Sequence, residues 1–205
     1  MGSTEILAHS NKPIRTKEDF KGLKFRTAGP FAEVLKELGG VPTVVPQAEI
    51  FTLLERKGVD AIEWATPGAN LSEGFHKVAK YIVLPGLHQP TFIWEVVLKA
   101  DTWDKLPKDL QAKIEAAAKL TTLEALPRFQ YADAKAMDIY RASGNEIIVL
   151  DPKLVNEIGA MGLNWAKKSA ADRKAKGDDT MDKALASYLA YKQLWSRNSS
   201  YMLRD

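Results

Sequence analysis

The chain has 205 residues, 45% of them hydrophobic and 27% charged, with no cysteine and with 29 Lys and Arg against 26 Asp and Glu, a formal net charge of +3. That is the composition of an ordinary globular chain, long enough for one domain or two small ones. It excludes disulfide and thiol chemistry, and such nearly balanced, interspersed charge gives no footprint for nucleic acid or an anionic membrane.

The elements follow in chain order. Residues 4–14 are short, mixed and end at Pro13, which predicts an extended or irregular lead-in. Thr16, Glu18 and Asp19 read as the cap and acidic first turn of a brief helix stopped by Gly22. Leu23–Thr27 alternates apolar and basic residues and predicts a strand. Pro30 opens a helix with Phe31, Val34, Leu35 and Leu38 on one face, ended by Gly39-Gly40. Val41–Val45 is a strand and Ala48–Lys57 a helix with Ile50, Leu53 and Leu54 turned inward. Val59–Trp64 is a buried strand, Thr66–Asn70 a Pro/Gly-broken loop, and Lys80–Leu84 a strand that closes at a Pro-Gly corner. Strands alternating with helices over short loops predict βαβ units and a mainly parallel sheet.

After Pro90 the pattern changes. Thr91–Lys99 is β-branched and aromatic and predicts one long strand, and Asp101–Asp104 reads as a turn. A helical pattern then runs from Pro107 to Ser143, far beyond the ~10–14 residues of a typical helix, with a kink expected at Pro127. Glu146–Leu150 predicts a strand. Asp151-Pro152 opens a helix with Leu154, Ile158, Met161 and Trp165 as its buried stripe. Arg173–Asp179 is a charged break before a last helix from Met181 to Trp195. In the tail, Tyr201, Met202 and Leu203 are apolar enough to seek a partner surface.

No nucleophile elbow, Walker A, GxGxxG or HExxH motif is present, and His9, His76 and His88 lack metal-type spacing. The residues single out recognition rather than catalysis. Polar groups at strand ends mark the ligand crevice of open α/β folds. Arg26 ends a strand and suits bidentate carboxylate binding, although taken alone a surface or structural ion pair is the simpler account. Glu63 and Trp64 close an apolar strand, where a carboxylate is either paired, bound to a cation or turned to solvent. His88 and Gln89 stand at the mouth of the next strand; Gln89 offers an oxygen to a hard cation, or is a turn residue before Pro90. Phe31, Trp64, Phe75, Phe92 and Trp94 wall a pocket or fill a core.

Taken together, PIRTKEDFKGLKFR, AEVLKELGGVPTVVPQAEIFTLLERKGVDAIEW and WDKLPKDLQAKIEAAA resemble the substrate-binding subunits of tripartite ATP-independent periplasmic (TRAP) transporters, the DctP-like family. The Asp19–Arg26 entry, the turn at Leu38–Pro42 and Glu49 opening the next helix carry the likeness over nearly the whole chain. Glu63-Trp64, GFHKVAKYIVLPGLHQP and SYLAYKQLWSRNSSYMLR resemble the branch that binds 2-oxo acids.

The resemblance implies a periplasmic-binding-protein-like α/β lobe with hinge strands and a long spanning helix. It would divide as residues 12–88 for the ligand-binding lobe, 89–142 for a hinge strand and kinked spanning helix, and 143–205 for the return and a C-terminal helix. It implies that the first lobe and signal peptide of such receptors lie ahead of this chain, with a further glutamine ligand near the position of Glu5. It implies a non-enzyme of the periplasm that binds a small 2-oxo or 2-hydroxy monocarboxylate for delivery to a membrane permease. Arg26 would clamp the carboxylate, and Glu63, the Trp64 backbone oxygen and Gln89 would hold a sodium or calcium ion bridging to it. Trp94 would help to set pocket size, with no organic cofactor and with homodimerisation through the last helix. The alternatives are a carboxylic-acid enzyme of an unrecognised type and a dimerisation fragment without ligand binding.

Overall fold

The structure is a computed structural model that describes residues 2–201. It divides into two compact units, Met1–Val155 and Asn156–Asp205. Met202 and Leu203, and the side chain of Tyr201, lie outside the described residues.

The first unit is built on one six-stranded sheet of order β3-β2-β4-β1-β5-β6. Its strands are β1 (Ala8–Ser10), β2 (Lys24–Arg26), β3 (Val41–Thr43), β4 (Ala61–Ile62), β5 (Tyr81–Leu84) and β6 (Glu146–Val149). β2 pairs in parallel with β3 and β4, and β5 with β6. Helices α1 (Phe31–Glu37) and α2 (Gln47–Glu55) make the crossovers that place β3 and β4 on opposite sides of β2. This is the expected largely parallel, βαβ-built sheet of a periplasmic-binding-protein-like fold.

One strand runs against the others. β1 is antiparallel to both β4 and β5 and joins the two parallel parts, with His9 opposite Ile62 on one side and Ile82 on the other. The lead-in expected to be extended or irregular is therefore the middle of the sheet. Its side chains are fully buried because both flanking strands arrive from later in the chain.

Three further local expectations are corrected. Thr66–Asn70 is not a loop: α3 (Pro67–Glu73) begins there, with Pro67 in its first turn, where a missing N–H costs nothing, and left-handed Gly74 at its end. Asp101–Asp104 belongs to a short helix, α4 (Ala100–Asp104), rather than a turn. Thr91–Lys99 forms no strand among the described residues, because no neighbouring strand offers a ladder to its β-branched, mostly exposed residues. Near the start, it is the Asp19 carboxylate that accepts the backbone N–H groups of Arg15 and Thr16, each at 2.8 Å, ahead of a single 3₁₀ turn at Glu18–Phe20.

The long helix α5 (Lys108–Ala142) is continuous through Pro127. Its last third is fixed against α3. Asp133 Oδ1 accepts the Gly68 N–H at 2.7 Å and its other oxygen accepts the Ser3 hydroxyl. The buried Tyr140 hydroxyl donates to the Pro67 carbonyl at 2.6 Å. Tyr140 and Ala136 pack with Ile6 and Ile82, while Ile50, Leu54, Val59, Ile62 and Phe75 form a second apolar cluster.

Helix α6 (Pro152–Lys174) begins as expected, with Asp151 Oδ1 accepting the Lys153 N–H at 2.7 Å. The second unit holds the rest of α6 and α7 (Thr180–Asn198), joined by the predicted charged break, which the Lys174–Asp182 and Lys183–Asp179 ion pairs bracket.

Candidate functional site

The sheet topology brings four chain segments to one edge. Because β2, β4 and β5 all point the same way and β1 points against them, the C-terminal ends of the first three meet the N-terminal end of β1. Arg26 ends β2, Glu63 follows β4, His88 follows β5 and Glu5 precedes β1. Such an edge is where open α/β sheets hold ligands.

The side chains at this edge converge. Arg26 is only 8% exposed, and its Nη1 donates to the Glu63 carbonyl at 3.0 Å and to Glu63 Oε1 at 3.3 Å. The same oxygen accepts the Ala28 N–H at 3.2 Å. The guanidinium lies over Trp64, 5.5 Å from the ring centroid, so the aromatic face covers the cation on one side. Arg26 Nε is buried without a hydrogen-bond partner. A buried donor left unpaired is costly, which makes Arg26 Nε a candidate for meeting a ligand atom.

On the other side of Glu63, His88 Nε2 lies 3.7 Å from Oε2 and 3.1 Å from Glu5 Oε2. Phe31 flanks the imidazole with ring centroids 5.3 Å apart. Burial opposes charge on His88, but the hydrogen bonds to Glu5 and Glu63 and their negative charges outweigh it and raise its pKa to about 9. The imidazolium therefore stands between two buried carboxylates. Glu5, Glu63 and His88 also form a group able to hold a metal ion, with ligand atoms all within 4.8 Å of one another. Two carboxylates converging in a buried pocket suit a cation, and here the imidazolium supplies the positive charge.

The expected residues are distributed as follows. Arg26, Glu63 and Trp64 are brought together. Gln89 is half-buried and joined to the site by its backbone: its carbonyl accepts the Glu5 N–H at 3.3 Å and its N–H bonds to the Gly86 carbonyl at 3.0 Å. Trp94 sits in the 91–99 segment, 76% exposed and edge-on to Phe92, lining an apolar groove with Trp103, Ile114 and Phe129. Glu5 and His88 complete the cluster and were not among the expected ligands. The signal for Glu5 was a lone carboxylate abutting the apolar run Ile6-Leu7-Ala8; the signal for His88 was its place at a strand mouth.

A second histidine site lies deeper. His9 is fully buried between Phe75 and Tyr140, and its Nε2 faces Asn70 Nδ2 at 3.2 Å. Burial first, and then the neighbouring His76, lower its pKa to about 3, so this imidazole is neutral. It belongs to the core.

Buried charged groups gathered at the carboxyl ends of parallel strands make this edge a candidate ligand site. The sequence profile of the bacterial extracellular solute-binding proteins, family 7 (DctP), matches residues 2–171, and the chain belongs to this family. It is 30% identical over 160 residues to a monocarboxylate 2-oxoacid-binding periplasmic protein of Nostoc sp., covering 78% of this chain and 44% of that protein. A TRAP periplasmic solute-binding protein from Pseudoalteromonas atlantica T6c, with bound sodium and pyruvate, superposes with a TM-score of 0.74 at 28% identity, covering 97% of this chain and 59% of that one. Another from Colwellia psychrerythraea, with bound calcium and pyruvate, gives 0.73 at 27% identity, covering 97% and 60%. The chain thus spans less than two thirds of the length of these relatives. Their compartment is the periplasm, and all are solute-binding proteins rather than enzymes.

Proposed function

We propose that this chain forms the ligand-binding lobe of a TRAP transporter receptor that takes up a small organic acid, a 2-oxo or 2-hydroxy monocarboxylate, together with a cation. The observation that carries the reading is the buried Arg26 guanidinium, stacked on Trp64 and retaining a free Nε donor, beside the carboxylates of Glu63 and Glu5. In this reading Arg26 binds and orients the carboxylate. The cation neutralises Glu63 and bridges to the ligand, with the Trp64 backbone oxygen and the Gln89 side chain as further oxygen donors. The sodium and calcium ions bound with pyruvate in the two relatives support a cation in this role. Trp94, on the spanning segment, bears on ligand size. Residues 12–88 make the lobe, 89–142 the hinge and spanning helix, and 143–205 the return, and the loaded receptor delivers its acid to a membrane permease.

The test is calorimetry with pyruvate and lactate, with and without calcium or sodium. Binding that Arg26→Ala leaves unchanged would overturn the assignment of the clamp. Homodimerisation through α7 is a separable part of the proposal. It rests on exposed Tyr188, Tyr191, Leu194 and Trp195, of which Tyr191 and Trp195 stack with centroids 6.4 Å apart. Sedimentation of the protein and of Tyr191→Glu checks it; a monomer in both removes it.

A further inference from the structure

We propose that Asn70 is a positioning residue for the ligand site. Its side-chain nitrogen ties the Ala65 carbonyl to the Nε2 lone pair of His9, and so holds the backbone of residues 63–66 in the shape that receives the acid. This rests on the carboxylate-receptor reading and extends it to two residues outside the crevice.

The backbone of residues 63–66 lies outside any ladder, since β4 ends at Ile62 and α3 begins at Pro67. Hydrogen bonds from other segments carry it instead. The Glu63 N–H donates to the Arg26 carbonyl at 3.1 Å, and the Glu63 carbonyl accepts Arg26 Nη1 at 3.0 Å. The Ala65 carbonyl accepts the Ile6 N–H at 3.0 Å and Asn70 Nδ2 at 3.1 Å. One end of the stretch is thus held by the Arg26 side chain and the other by that of Asn70, with Trp64 between them.

The same nitrogen assigns the proton of His9. A carbonyl oxygen only accepts, so the Asn70 atom facing Ala65 is the amide nitrogen and not its oxygen. That nitrogen also lies 3.2 Å from His9 Nε2, which therefore offers a lone pair. The single proton of the neutral imidazole then sits on Nδ1. Burial, and after it His76, keeps His9 neutral by lowering its pKa to about 3. Phe75 and Tyr140 hold the ring, with centroids 5.6 and 5.7 Å away, and β1 holds its backbone opposite Ile62 and Ile82.

The amide does this work at a cost. Asn70 is fully buried, and its Oδ1 has no hydrogen-bond partner, which an apolar side chain of the same size would avoid. What it contributes is the pair of contacts at its nitrogen. Asn70 also sits in α3, which Asp133 and Tyr140 fasten to α5 through the Gly68 N–H and the Pro67 carbonyl. The ligand edge is therefore tied to the long helix as well as to the middle of the sheet.

The experiment compares wild type with Asn70→Asp, which keeps the size of the side chain and removes the donor, and with Asn70→Ala. Ser72→Ala, exposed on the same helix, is the control. Calorimetry with pyruvate, sodium and calcium being present, is expected to show about tenfold weaker binding in both Asn70 variants and no change in the control. Nitrogen NMR reads the tautomer, with the His9 signals assigned by their loss in His9→Gln. The expected result is a bare Nε2 and a protonated Nδ1 in wild type, and a protonated Nε2 in Asn70→Asp. Hydrogen exchange at the Ile6 amide, which shares the Ala65 carbonyl, is expected to be faster in both variants. Circular dichroism confirms that each variant is folded, and the wild-type tautomer decides the matter where one is not. A protonated Nε2 in wild type, or wild-type pyruvate affinity in the folded Asn70 variants, overturns the proposal. If wild type takes up no pyruvate, the receptor reading falls by itself; the Ile6 amide then decides the clamp, and an unchanged exchange rate overturns it.

Discussion

Gly86 donates its N–H to the Glu5 carbonyl at 2.9 Å, and a β-carbon at Gly86 would fall 2.2 Å from that same oxygen. Only glycine permits this approach, so the Pro-Gly corner after β5 sets the position of a residue eighty places earlier in the chain. Gly86→Ala is expected to push the Glu5 backbone away, destabilising the protein by about 1–3 kcal/mol. Urea unfolding measures the stability, and calorimetry with pyruvate shows weakened binding at the displaced site.

Arg26 holds Glu63 in the fold and is the proposed carboxylate clamp, and two substitutions separate the roles. Arg26→Ala leaves the Glu63 carboxylate buried without its guanidinium, and breaking a buried pair costs about 3–5 kcal/mol. Arg26→Lys keeps the positive charge but loses the planar fork and its stacking on Trp64. The lysine variant is expected to stay closer to wild type in thermal unfolding while binding pyruvate about tenfold or more weakly. Equal pyruvate affinity in wild type and Arg26→Lys would show that the fork is not used.

His9 makes stability depend on pH in the acid range. Its pKa is lowered to about 3 in the fold against 6.5 unfolded, so between these values the unfolded chain binds the extra proton. Stability is therefore fully present above about pH 6.5 and falls as acid is added, with a slope of about 1.4 kcal/mol per pH unit from this one group. Denaturant titrations at pH 7, 5.5 and 4 measure the slope. His9→Gln is expected to flatten it, whatever that variant does to stability at pH 7.

The junction of α3 and α5 is held by few polar contacts. Asp133→Ala removes the acceptor for the Gly68 N–H, and Tyr140→Phe removes the donor to the Pro67 carbonyl. Each is expected to cost about 1–2 kcal/mol. Hydrogen exchange locates the effect: the amides at the start of α3 exchange faster, while those of α1 and α2 do not.

The sequence-based reading succeeded where local pattern and tertiary environment agree. The alternation in Leu23–Thr27, the glycine stop after α1, and Asp151-Pro152 at the head of α6 all predict what forms, because each acts within a few residues. Arg26, Glu63 and Trp64 were visible as polar residues closing apolar strands. Glu5 and His88 stood at strand ends too, but nothing local pairs them, because their meeting follows from the reversed direction of β1, a property of the whole sheet. Thr91–Lys99 fails in the opposite way. Its residues favour a strand, but a strand needs a neighbour, and propensity cannot supply one.

The reversed central strand also sets an order in time. β1 precedes both of its partners, residues 61–62 and 81–83, in the chain, so Glu5 and His9 are made well before the strands that enclose them. The sheet cannot close at its middle until Val83 has been made, and β6 adds only after the whole of α5. Pairings between such distant residues are slow to form. During that interval the apolar β1 waits uncovered, with the Glu5 carboxylate beside it.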